Sequence, residues 1–137
     1  MSYEIKDSGE RTVFSSGACR DMSIGKGNFA VLPASAILRL TKLYEMGMRK
    51  YGARNYLKGI PVTSFIDSAL RHLFKYLAGE DDEDHLSSAV FNILGIMEME
   101  ENHPDMCDLE TRIGKNKFPY HENKEGSDNE NTLDPNF

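Results

Sequence analysis

The run Ser64–Leu94, SFIDSALRHLFKYLAGEDDEDHLSSAVFNIL, decides how the chain folds. Its first half carries Ile66, Leu70, Leu73 and Leu77 at spacings of three or four, with Ala69 alongside, which is the period of a helix that buries one stripe. Pro61 and Ser64 announce that helix, predicted over about 64–78, and Gly79 stops it. The second half predicts a helix over roughly 82–101 with Leu86, Val90, Ile93 and Met97 as its apolar stripe. So short a turn between them requires the two helices to pack antiparallel.

Upstream, a further helix is expected from Pro33 to Tyr51. Proline suits a first helical position, and Ile37, Leu40, Tyr44, Met48 and Tyr51 recur at helical spacing. Gly52 sits where a left-handed glycine ends a helix, while Gly47 inside it costs stability unless another backbone packs closely. Residues 1–31, broken by Gly17, Gly25 and Gly27, read as a loop or short extended arm. Residues 104–137 are polar and acidic and read as a disordered or loosely docked tail. The expected architecture is an all-α helical bundle over 1–103, with an irregular N-terminal arm and an acidic tail over 104–137.

The 137 residues, 39% of them hydrophobic, suffice for one modest core. No apolar run reaches membrane-spanning length and the N-terminus lacks a signal-peptide centre, so a cytoplasmic protein without membrane contact is expected. Cys19 and Cys107 show no zinc-type spacing and read as reduced thiols. A sequence pI near 5.2 and the lack of basic-aromatic alternation argue against a nucleic-acid polymer as partner. The net charge of −6 conceals an asymmetry. Residues 1–79 hold 12 basic against 6 acidic groups, a net of +6, and the remainder hold 4 against 16, a net of −12. The first half can meet a small anion, or the halves complement each other.

Between the first two helices lies Gly52–Gly59, GARNYLKG. Arg54 and Lys58 are of the type that meets phosphates, Asn55 can bond a sugar or base, and Tyr56 can stack. On the second helix Asp67 and Arg71 flank the stripe on one side and His72 on the other. Ser64 and Asp67 also form an S-x-x-D capping pattern. Glu80, Asp81, Asp82, Glu83 and Asp84 crowd the start of the third helix, either as a solvated cap or as a magnesium site. His85 and Asn92, seven residues apart, share the edge of its apolar stripe and serve either as a packing register or as ligand contacts.

The combination of KYGARNY, DSALRHL and GEDDEDHL, spaced as here over about residues 11–100, resembles a family of phage and prophage proteins known as the dATP/dGTP diphosphohydrolase N-terminal domain. The resemblance implies hydrolysis of purine deoxynucleoside triphosphates to monophosphate and pyrophosphate, in a host-cell cytoplasm if phage-encoded. The second and third helices are more distantly similar to the core pair of MazG-like all-α pyrophosphohydrolases, which assemble as dimers or tetramers. Those enzymes hold magnesium with two acidic pairs that would fall here near Asp67 and Arg71 and near Ser88 and Asn92, so three of the four carboxylates are absent.

Two readings follow. In the first, Asp67, Glu80, Asp81 and Asp84 hold Mg2+ or Mn2+, Arg54, Asn55, Lys58, Arg71 and His72 bind the nucleotide, and His85 and Asn92 place the water or base. In the second, the same frame binds and sequesters a nucleotide or a nucleotide immune signal without cleaving it. A scaffold without a ligand is the third, blandest alternative.

Overall fold

A computed structural model describes residues 2–112 of the chain. It divides by contacts into two units, the first ending at Leu38 and the second starting at Arg39, so the division falls inside the first long helix. In the first unit the expected loop contains a small antiparallel hairpin, β1 (Arg11–Val13) and β2 (Cys19–Asp21), with Thr12 opposite Arg20. Gly17, at φ 85°, lets the turn close so that the Phe14 amide reaches the Ala18 carbonyl at 2.8 Å. Asp21 ties the hairpin to flanking chain, accepting from the Ser8 hydroxyl and, at 2.8 Å, from Lys26 Nζ. Strands of three residues, exposed almost throughout, lack the alternation by which a strand is read from sequence.

Three helices make up the rest: α1 (Ala34–Tyr51), α2 (Val62–Leu77) and α3 (His85–Asn102). The expected stops hold. Gly52 follows α1 at φ 89°, its amide bonded to the Met48 carbonyl. Gly79, at φ 81°, ends α2 with its amide on Tyr76 O and the Glu80 amide on Lys75 O, the paired bonds of a Schellman ending. Among the described residues no helix is long and apolar enough to cross a membrane.

The start of α2 differs from expectation. The helix begins at Val62, two residues before Ser64, because its cap comes from outside: Asp108 accepts the Thr63 amide at 2.9 Å and the Thr63 hydroxyl at 2.5 Å. The Asp67 carboxylate consequently caps nothing and pairs with Arg71 one turn on. For the same reason the chain past Pro104 is docked as far as Leu109. Met106, Cys107 and Leu109 pack on the cluster of Val62, Phe65 and Met99. The polar tail beyond residue 112 lies outside the described residues.

α2 and α3 form the antiparallel pair that the sequence predicts, and they meet tightly at Gly95, where a Cβ would stand 2.4 Å from the Phe65 ring. The faces they bury are not the expected ones. α2 turns Val62, Phe65 and Ala69 inward, and α3 turns His85, Ala89, Asn92, Gly95 and Met99 inward. Leu70, Leu73 and Leu77 of α2 and Val90, Ile93 and Met97 of α3, most of the predicted core stripes, are exposed, Leu77 by 78%, and so is Phe74. The hairpin therefore has an apolar outer surface and an inner seam that becomes polar toward the α2–α3 turn.

Candidate functional site

The polar end of the seam starts from the cap of α3. Asp84 accepts the Ser87 amide at 3.1 Å and the Ser87 hydroxyl at 2.6 Å, and Arg39 of α1 grips the same carboxylate through Nε at 2.8 Å and Nη2 at 2.6 Å. The Arg39 guanidinium, together with the Ser87 donors, holds the Asp84 carboxyl well below the usual carboxylate range. Asp84 thus holds α3 in place and is fully engaged in doing so.

One residue on, His85 is 2% exposed. Its Nε2 lies 2.8 Å from Asp82 Oδ1, and its Nδ1 lies 3.0 Å from His72 Nδ1 on α2. Bonding to His85 holds the Asp82 carboxyl low, while burial pushes His72 below the usual imidazole value against the opposing pull of Glu83. A neutral His72 offers a lone pair as well as a donor at physiological pH. Ligand atoms of His72, Glu83 and His85 lie within 4.8 Å of one another, and so do those of Glu80, Asp82 and His85.

His72 also lines a cavity of about 380 Å³ walled by all three helices. α1 contributes Gly47, Lys50 and Tyr51, α2 contributes Ser68, and α3 contributes Ser88, Phe91 and Asn92. Asn92 is 8% exposed and donates Nδ2 to the Ser88 carbonyl at 2.7 Å, which fixes the direction of its amide. Lys50 Nζ stands 4.9 Å from the Tyr51 ring centroid. One cation, an imidazole, two hydroxyls and an amide beside aromatic walls form a site of the kind that holds a polar ligand with an aromatic part.

A second cavity of about 390 Å³ meets the first at Gly47, Tyr51 and Phe91. Arg54 and Asn55 line it, with Tyr44 and Tyr56. Tyr44, Tyr56 and Phe91 form an aromatic cluster with centroids 5.0 to 6.0 Å apart. The course of the GARNYLKG loop is set by its backbone. Gly52, Arg54 (φ 57°) and Gly59 (φ 101°) adopt left-handed conformations that wrap the loop around the short 3-10 turn Asn55–Lys58 and hold Tyr56 against Phe91.

The structure thus joins His72, His85 and Asn92, and it sets Arg54 and Asn55 at the adjoining cavity. Lys58 is exposed on the 3-10 turn and Arg71 is committed to Asp67, both away from these cavity walls. The four carboxylates Asp67, Glu80, Asp81 and Asp84 are not brought together: Asp67 pairs with Arg71, Glu80 lies 3.9 Å from Lys75, Asp81 is exposed and Asp84 caps α3. Sequence reasoning missed Lys50, Phe91, Ser68 and Ser88 as cavity residues. The one available signal was helical spacing, since Ser68–His72 and Ser88–Asn92 are each one turn apart.

Residues 16–109 match a family model described as dATP/dGTP diphosphohydrolase, N-terminal. The matched span holds every cavity residue named above. No curated protein and no solved structure matches the chain.

Proposed function

The chain belongs to the dATP/dGTP diphosphohydrolase, N-terminal, family, and on that premise we propose that it hydrolyses purine deoxynucleoside triphosphates to monophosphate and pyrophosphate in the cavity between its three helices. The observation that carries this reading is the convergence of Lys50, His72 and Asn92 on one cavity beside an aromatic cluster. Lys50 meets the phosphates as a point charge, and the ring faces of Tyr44, Tyr56 and Phe91 take the purine, with Arg54 and Asn55 at its edge. Water attacks the α-phosphorus, the bond from that phosphorus to the α–β bridging oxygen breaks, and pyrophosphate leaves with the electron pair. Asn92, which lines the cavity, positions the water, whose proton passes to solvent, and the buried His85 holds His72 at the cavity wall.

A divalent cation, Mg2+ or Mn2+, belongs to this reading, since it would offset triphosphate charge and make water more acidic. The acidic turn Glu80–Asp84 supplies the negative potential that draws a cation to this end of the hairpin. We further propose that the chain works as a homo-oligomer, a dimer or tetramer like MazG-type enzymes. The support is the outward exposure of Leu70, Leu73, Phe74 and Leu77 with Val90, Ile93 and Met97, large apolar side chains of the kind that subunits cover.

The test is to incubate the protein with dATP, dGTP and their ribose counterparts, with Mg2+ or Mn2+, and separate the products by chromatography. Monophosphate with pyrophosphate is expected. Unchanged nucleotide that comigrates with the protein would instead establish the sequestering reading, for which the same cavity suffices.

A further inference from the structure

The seam between α2 and α3 holds two imidazoles that packing alone does not require. An apolar pair would fill the space between the helices without burying polar atoms. Here His85, with its side chain 1% exposed, sits at the start of α3 and turns Nδ1 to His72 Nδ1 at 3.0 Å. Asp82 holds the far side of the His85 ring at 2.8 Å. A carboxylate on one imidazole nitrogen fixes the tautomer and presents the other nitrogen's lone pair, the arrangement found behind metal-bound histidines. Glu83 brings a carboxylate oxygen within 4.8 Å of both imidazoles.

From this geometry we propose that His72, Glu83 and His85 form a two-histidine, one-carboxylate site for a divalent transition metal of the manganese, cobalt or zinc class. The inference rests on the proposed function and deepens it by naming the cation's ligands. Metal–imidazole bonds are about 2.1 Å long, so two nitrogens at right angles on one ion stand about 3 Å apart. The separation of the two Nδ1 atoms matches that. Imidazole selects borderline transition metals over Mg2+, which prefers oxygen donors and its own waters. Three protein ligands leave positions open on the ion. His72 also lines the cavity with Lys50 and Asn92, so an ion on His72 adjoins the space where a phosphate would lie. The alternative trio of Glu80, Asp82 and His85 has one nitrogen and two exposed carboxylates, and it would take Asp82 away from its role behind the His85 ring.

The test needs no nucleotide. Metal-free full-length protein is titrated with Co2+, followed by calorimetry and by visible absorption. Saturation at one equivalent per chain is expected, with a ligand-field spectrum that excess Mg2+ leaves in place. With Zn2+ in place of Co2+, imidazole nitrogen NMR should show both Nδ1 resonances shifting. His72→Ala and Glu83→Gln should each weaken Co2+ binding by about tenfold or more. Glu83 is exposed, so Glu83→Gln remains informative if the histidine variant fails to fold, and circular dichroism melting reports that directly. Absence of saturable binding, or binding that survives both variants and disappears in Asp67→Asn, overturns the proposal. Pyrophosphate release by protein that binds no Co2+ would overturn this site and leave the function standing. Saturable binding without release from any nucleotide would do the reverse.

Discussion

The two ends of the α2–α3 hairpin are built differently. At the end near Pro61 and His103, Val62, Phe65 and Met99 close a dry cluster, and Gly95 allows the helices to touch. At the end near the α2–α3 turn, the same seam holds two hydrogen-bonded pairs, His72 with His85 and Ser88 with Asn92, and opens on a cavity. One pair of helices thus keeps its packing and its candidate chemistry apart by about two turns. Stability should respond to the first end and ligand binding to the second.

The largest separation of the two is expected at His72, which is only partly buried. His72→Ala should reduce pyrophosphate release by roughly 100-fold or more and move the thermal midpoint little. An equally large loss of stability would merge the two ends into one structural unit. The converse variant is Met99→Ala, in the fully buried side chain of the dry end. It should cost about 2–5 kcal/mol in denaturant unfolding, while nucleotide binding of the folded fraction stays unchanged. Gly95→Ala should act in the same direction, because its methyl would meet the Phe65 ring.

The cap of α3 links the two ends in a smaller way. Asp84→Ala should cost about 1 kcal/mol, with Arg39→Ala showing part of the same loss if the pair acts as a unit. Both Asp84 and Asp108 have carboxyl groups held below the ordinary range, by Arg39 and by the Thr63 hydroxyl respectively. A depressed folded value means that their contribution is complete above pH about 4 and is lost as pH falls below it. Unfolding curves from pH 7 to 3 should therefore drop at the acid end, and by less in Asp108→Asn. The slightest effect on the single chain is expected from Leu73→Asp, which sits on the outer stripe and leaves both ends of the seam intact. Sedimentation should nevertheless show a smaller assembly.

How much of this was readable in the sequence depended on whether the cause was local. The three long helices, the stops at Gly52 and Gly79 and the antiparallel pairing follow from periodicity and glycine, both properties of neighbouring residues. The cap of Thr63 by Asp108 does not, because 45 residues separate the partners. The side on which α2 and α3 bury themselves was misjudged because hydropathy ranks Leu73 and Ile93 above His72 and Asn92. Burial in one chain instead follows which faces meet, and here hydrogen bonding makes His85 and Asn92 tolerable inside. Residue type and place on a helix face or in a loop marked His72, His85, Asn92, Arg54 and Asn55 as site candidates. The part played by Lys50 and Phe91 became visible only when α1 was laid beside α3, since a lysine near a helix end and a phenylalanine in an apolar run have ordinary local explanations.

The most direct measurement is product analysis on dATP and dGTP with Mn2+ present, comparing the native chain with His72→Ala and Met99→Ala. The account predicts monophosphate and pyrophosphate from the native chain, almost none from His72→Ala, and native turnover per folded molecule from Met99→Ala. Undiminished release by folded His72→Ala would contradict it, because the chemistry would then lie away from the polar end of the hairpin.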